Sequence, residues 1–407
     1  MTHETPRTLV ILGAGADQVF LINTARDMGL YTLAFDRDPK APGFQVSDDH
    51  AVISTRDIPA LCNFLDDYGR QIDGVLTMGS DIPEIVAATA KHLGLPAISA
   101  ETARVSTDKF AMKQRFREKG IPIPWFGELG SVSDLKEVMD ARGPNLVIKP
   151  VDRSGARGVF ILTADCDSAK LFEEAKAFSY SGRVMVEEYL PGPQISTETL
   201  MYQGKGVTPG FVDRNYEHLD RFAPHVIENG GWLPSQVTVE QRAAVEQLVV
   251  AASLALGVFD GVTKGDVVLT PDGPKMIEMA ARLSGGDFSE SLVPLGIGVN
   301  YVRTAIEIAL NDPPDLTALT PTSNQAVANR YFFPEAGELL SIEGADEVRA
   351  LDWVKKLEFW YAPGDQVPEP ISHAHRFGVF VVVAPDREEL ERRIAWVYEA
   401  VEIRVRS

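Results

Sequence analysis

Apolar runs of strand length alternate with stretches of helical period through residues 8–110, and nothing else in the chain limits its fold as strictly. TLVILGAG reads as a buried strand running into glycines, followed by a helix over residues 18–28. LYTLAFDRD and GVLTMG are a second and third strand, each followed by a helix, over 58–68 and 82–93, and LPAIS is a short fourth strand. Such alternation predicts a parallel sheet covered by helices, so residues 1–120 are expected to form an α/β, doubly wound domain. The turn GAGADQ is half of a dinucleotide fingerprint, with Gln18 where a third glycine belongs. Asp36 stands where a ribose-binding acid would. A tight strand-to-helix turn needs small residues equally, and a nicotinamide-dependent enzyme would rest on this turn alone.

The balance of 39 basic against 58 acidic residues gives a net charge of −19. That excludes an extended nucleic-acid surface, which depends on clustered Lys and Arg. It leaves room for small anions at a local cluster of cations. The two cysteines, Cys62 and Cys166, are too far apart in sequence to suggest a disulfide framework or a zinc site. No apolar run reaches the roughly 18–20 residues of a membrane span. The opening residues show no signal-peptide pattern, and a cytoplasmic protein without membrane or nucleic-acid partners is expected.

Beyond the first domain, DKFAMKQRFREKG opens with Lys109 in the first turn of a helix, where the dipole disfavours a cation unless an anion lies near. The texture then changes to short strands and glycine-rich turns, as in an α+β domain. Lys149 ends the apolar run LVIKP, and DRSGARG follows, with Ser154, Gly155 and Gly158 in a cationic loop. Such a loop can fold over phosphates with backbone N–H groups as donors, although glycine serves a mobile hairpin tip too. VMVEEYLPG carries Glu187 and Glu188. Residues 207–235 hold Arg214, His218, Arg221 and His225 in a polar stretch that suits a substrate-facing flap or a solvated loop. A helix over 240–256 precedes the hairpin GDVVLTPDGPKMIEMAAR.

If that hairpin turns on Pro271-Asp272-Gly273, Thr270 faces Pro274 and Asp266 falls opposite Glu278. A two-residue Asp-Gly loop shifts the register and separates them. Like charges roughly 5 Å apart across a strand pair are destabilising unless neutralised, and a magnesium ion would neutralise them. Arg282 would lie on the same face, a cation beside a metal pair suited to holding phosphate oxygens. Residues 322–407 read as a separate C-terminal unit of strands NQAVANRYFF, VKKLEFWYAP and RFGVFVVVAP followed by the helix REELERRIAWVYEAV. His373 and His375 are read as loop or lid residues rather than metal ligands.

DK at a helix start, VIKP with its glycine-rich loop, VEEYLPG and the acidic pair with its arginine occur in this order after a doubly wound domain. The chain thereby resembles the ATP-grasp superfamily, in particular its carboxylate–amine ligases such as the L-amino-acid ligases, with biotin carboxylase and carbamoyl-phosphate synthetase as relatives. The resemblance covers residues 8–310. It implies a pre-ATP-grasp domain (1–120), a small lid subdomain (121–190), a large subdomain with metal and substrate sites (191–315) and a small α+β C-terminal domain (316–407). By position, Lys109 and Lys149 match the lysines holding ATP phosphates, and Ser154, Gly155 and Gly158 the loop closing over them. Glu187, Glu188 and Leu190 match the adenine connector. Asp266 and Glu278 match the ligands of Mg2+, for which Mn2+ can substitute. Arg282, with Lys149, acts at the transferred phosphate, and Ser284, Gly285 and Gly286 take the carboxylate substrate. Gln194 stands where relatives carry a ribose-binding Glu, and the family's Glu-x-Asn-x-Arg reads Glu278-Met-Ala280-Ala-Arg282 here, removing a metal ligand. The implied activity phosphorylates a carboxylate with ATP and joins it to an amine, in a chain that could form a homodimer. A bicarbonate-using carboxylase or carbamate-forming enzyme, and a nucleotide-binding protein without turnover, are the alternatives.

Overall fold

The structure, a computed structural model, describes residues 5–406. Its first sheet holds the parallel strands β1 (Thr8–Leu12), β2 (Tyr31–Asp36), β3 (Asp49–Val52) and β4 (Gly74–Leu76) in the order β3-β2-β1-β4. Alternation along β1 sends Leu9 and Ile11 to one face, against the helices Ala16–Asp27 and Tyr301–Ala309. Val10 and Leu12 face the helix Ile58–Asp67 on the other side. The parallel, helix-covered sheet is therefore as expected, but its fourth member is not. LPAIS makes no ladder; it runs half-exposed into a helix over Ala100–Thr107, whose first turn is capped by Ser99 accepting from the Thr102 N–H at 3.0 Å. The short polar strand β3 takes the place beside β2 instead.

The second sheet is antiparallel: β5 (Phe126–Leu129), β6 (Leu146–Pro150), β7 (Phe160–Leu162) and β8 (Val184–Glu188), in the order β5-β8-β6-β7. Next come β9 (Gln194–Tyr202), β10 (Lys205–Arg214), β11 (Gly231–Leu233), β12 (Gly261–Thr270) and β13 (Gly273–Ala280). The C-terminal residues supply β14 (Ala326–Phe332), β15 (Gly337–Glu343), β16 (Val354–Phe359), β17 (Gln366–Val367), β18 (Gly378–Ala384) and β19 (Glu402–Arg406). The C-terminal strands are not a sheet apart. β14, β18 and β16 continue the central sheet, in the order β13-β12-β9-β10-β11-β14-β18-β16, while β17, β15 and β19 form a small sheet of three. Edge hydrogen bonds left open by β11 are taken up by β14, which joins the two halves.

The helix Val239–Leu256 is fixed at its start by a capping box between Thr238 and Gln241. Val245, Val249 and Ala252 pack it against Val267, Met276 and Met279 on one face of the central sheet. Each of these valines and methionines contributes about 1.5–3 kcal/mol on burial. Strand alternation then obliges the residues between them to point to the opposite face, which is the polar one.

Candidate active site

That polar face is where the hairpin's register matters. The loop is Pro271-Asp272, because Thr270 pairs with Gly273 and Leu269 with Pro274. Neither loop anticipated from sequence forms. A bulge at Ile277 inserts one extra residue opposite the Asp266/Val267 pairs, and beyond it Asp266 lies directly opposite Glu278. The bulge keeps Met276 and Met279 in the core while Ile277, Glu278 and Ala280 all line the cavity above.

The cavity measures about 500 Å³ and is roofed by the second sheet, the glycine-rich loop and residues from both ends of the chain. Lys109, Lys149, Ser154, Gly155, Glu187, Glu188, Leu190, Gln194, Asp266, Glu278, Arg282, Ser284, Gly285 and Gly286 all border it. Gly158 does not: it backs the loop against Pro150 and Phe178. Lys109 sits in the first turn of the helix Lys109–Glu118, behind the Asp108 cap. Its ammonium donates to the Arg153 carbonyl at 2.6 Å and pairs with Glu278 at 2.9 Å, which tethers the glycine-rich loop to β13. Burial works against that charge, but Glu278, Asp81 and Glu187 outweigh it and raise the lysine above its ordinary pKa.

Lys149 and Glu187 are ion-paired and nearly inaccessible, with Lys113 joining from 3.1 Å. Burial raises the Glu187 carboxyl, and the two ammonium groups more than reverse this, holding it below the usual range. Burial in turn brings Lys113 down to about 8. The Glu187 side chain is thus ion-paired with both lysines at the cavity wall. The N–H groups of Glu188 and Tyr189 are bonded to the Trp125 and Asn145 carbonyls at 2.9 and 3.0 Å.

Arg282 is held by an acid that the sequence reading missed. Asp81, in the loop after β4, accepts from its Nε at 2.7 Å. Although burial raises Asp81, Arg282 first and Lys109 next bring it to about 2. Nothing in the sequence links positions so far apart. Asp17, from the first helix of the first domain, accepts from the Gly286 N–H at 3.2 Å. It leaves Gly285 no room for a side chain, because a Cβ there would lie 2.4 Å from the Asp17 carboxylate. Glu198 on β9 is fully buried and takes the Ser284 N–H at 3.0 Å, fixing the start of the same segment. Arg214, from the stretch left open as flap or loop, ends β10 and reaches Glu228 at 2.7 Å and Asp266 at 3.1 Å. His373 lies in a short turn whose N–H reaches the Gly155 carbonyl at 3.2 Å; burial and then Arg376 push its imidazole well below the ordinary value.

The incomplete glycine turn offers no such opening. The Gln18 amide fills it by donating to the Met78 carbonyl, and Asp36 accepts the Ala14 N–H at 2.9 Å, closing the turn on itself.

Donors for a divalent metal are few. Among the described residues no three of His, Cys, Asp or Glu gather as a metal cluster. Asp266 and Glu278 face each other, and the Glu278 side chain is 34% exposed towards the cavity. Magnesium is commonly held by one or two carboxylates, with phosphate and water completing its shell. Glu278 suits one such ion, while Asp266 opposite it already accepts from Ser196 and Lys264 and meets Arg214.

Two antiparallel sheets closing on a lysine- and arginine-lined cavity, beneath a glycine-rich loop, make this the ATP-grasp fold. Residues 107–287 match the family described as phosphoribosylglycinamide synthetase, ATP-grasp (A) domain, and residues 330–406 match L-amino acid ligase C-terminal domain 2. The crystal structure of an L-amino acid ligase from Bacillus licheniformis superposes with a TM-score of 0.82 at 21% identity, covering 99% of this chain and 100% of that one. An uncharacterised protein of Sinorhizobium fredii is 24% identical over 94% of this chain and 79% of its own length. A phosphoribosylamine–glycine ligase of Methanococcus maripaludis is 23% identical over 70% of this chain and 69% of its own. No helix among the described residues is long and apolar enough to cross a membrane.

Proposed function

We propose that the protein is an ATP-dependent carboxylate–amine ligase. A carboxylate oxygen of the substrate attacks the γ-phosphorus of ATP, the bond to the β-phosphate oxygen breaks, and ADP leaves. The amine nitrogen then attacks the carbonyl carbon of the acyl phosphate, phosphate departs, the nitrogen loses a proton, and an amide remains. Phosphoryl transfer gains most from positioned positive charge. Lys109 and Lys149 would hold the phosphates under the loop of Ser154 and Gly155, while Leu190 and Gln194 border the nucleoside. Magnesium, when bound, would be held by Glu278 with the nucleotide's own phosphate oxygens and would supply further positive charge there; Asp266 stands opposite, with its oxygens taken up by Ser196, Lys264 and Arg214.

The observation that carries this reading is the Asp81–Arg282 pair. It fixes a guanidinium on the cavity that the Lys109–Glu278 bridge and the segment Ser284, Gly285 and Gly286 also border. A carboxylate seated on that segment would meet the arginine before and during transfer. A homodimer, a cytoplasmic setting and the division at residues 120, 190 and 315 belong to the same reading. The test is a paired screen of carboxylates and amines with ADP release as the readout. The expected result is ADP release that requires both partners. Release with bicarbonate alone would instead favour a carboxylase, and nucleotide binding without release under any pairing would defeat the ligase reading.

A further inference from the structure

The ladder sets Lys264 in an unusual place. It stands directly across from Ala280 on β13, on the face that also carries Asp266 and Glu278. On its other side its partner is the buried Glu198 of β9. Ala280 contributes only a methyl group beside Glu278, so the room it leaves is available to the lysine, which borders the cavity. The Lys264 ammonium is bonded to the Asp266 carboxylate, and among the described residues that is its single hydrogen-bond partner. An ammonium has three donors, so two remain for a ligand.

Asp266 has correspondingly little left to give a metal. One oxygen accepts the Ser196 hydroxyl at 2.6 Å; the other accepts from Lys264 and meets Arg214 at 3.1 Å. Glu278, by contrast, has one oxygen on Lys109 and presents the rest of its side chain to the cavity. Two divalent ions here would need donors that Ala280 lacks and that Asp266 has committed, and the second would sit beside a fixed cation that repels it.

We propose that Lys264, seated against Asp266 and across from Ala280, supplies as a built-in ammonium the positive charge that a second divalent ion would bring, so that each nucleotide is held with one metal ion on the Glu278 side. This rests on the ligase reading's nucleotide site and deepens it, replacing a second metal with a residue of the chain.

The experiment counts metal rather than turnover. The full chain is titrated with Mn2+ in the presence of a non-hydrolysable ATP analogue, and bound Mn2+ is measured by the loss of the free-ion paramagnetic resonance signal. One Mn2+ per bound analogue is expected for the wild type, rising to two in the double variant Lys264→Ser, Ala280→Asn. Two ions per analogue in the wild type would overturn the proposal without any variant. So would a count that stays at one in a double variant whose circular dichroism and melting match the wild type. Failure of the analogue to bind the wild type at all would overturn the nucleotide site itself, and the substitution of Lys264 for a metal with it.

Discussion

Glu198 shows at the scale of one residue how a neighbourhood resets a charge. Burial raises its carboxyl from the ordinary 4.5 to about 7, against the pull of Ser284 and Arg282. From roughly pH 4.5 to 7 the folded protein therefore keeps a proton that the unfolded chain has released, and stability falls as pH rises through that window. Glu198→Gln removes this loss. Relative to wild type it should gain up to about 3 kcal/mol at pH 8 and little at pH 4, and urea unfolding at both values checks it; a constant difference would refute the assignment. Lys149 and Glu278 give a contrast of another kind. Lys149→Ala leaves buried Glu187 with Lys113 alone and should cost about 3–5 kcal/mol of stability along with activity. Glu278 borders the cavity and, among the described residues, pairs with Lys109 alone; Glu278→Ala strips that buried ammonium of its ion-pair partner but leaves it the Arg153 carbonyl, so the melting temperature should fall by less than in Lys149→Ala. ADP formation should nevertheless fall by about 10²-fold or more.

Among the elements, the turn between β8 and β9 and the hairpin of β12 and β13 depend on each other. Gly192 adopts φ +143, and a Cβ there would lie 2.2 Å from the Leu269 carbonyl oxygen. Gly192→Ala should destabilise the protein by about 2–3 kcal/mol, read as a lower urea midpoint at unchanged slope; a midpoint within error of wild type would show that the turn relaxes freely. The hairpin itself was readable from sequence as two strands about Pro271-Asp272-Gly273, and the opposition of Asp266 and Glu278 is present. The route to it was not readable. A bulge at Ile277 compensates a loop one residue shorter than supposed, and bulges answer to packing on both faces of a sheet rather than to local propensity. LPAIS likewise has strand composition but joins no ladder.

Across the whole molecule, the cavity is shared by parts that lie far apart in the chain. Asp17 and Asp81 come from the first sheet's domain, Lys149 and Glu187 from the second sheet, and His373 from the C-terminal residues. A ligand that bridges them should stabilise all of them together. A non-hydrolysable ATP analogue at about 100 times its dissociation constant should add about 2.7 kcal/mol, seen as one melting transition moving up intact. A shift confined to part of a split transition would mean that the parts unfold independently. Legible from residue order alone were the parallel, helix-covered sheet, the hairpin that opposes Asp266 to Glu278, and the chain order of the lysines, the glycine-rich loop, the acidic pair and Arg282. Strand periodicity and residue type are local properties, carried wherever the segment goes. It took packing in three dimensions to set Asp81 against Arg282, Lys113 beside Glu187 and Gly158 away from the cavity. Those pairings join residues whose separation in the chain carries no signal, and close packing of sheets, loops and helices is what brings their charges within reach.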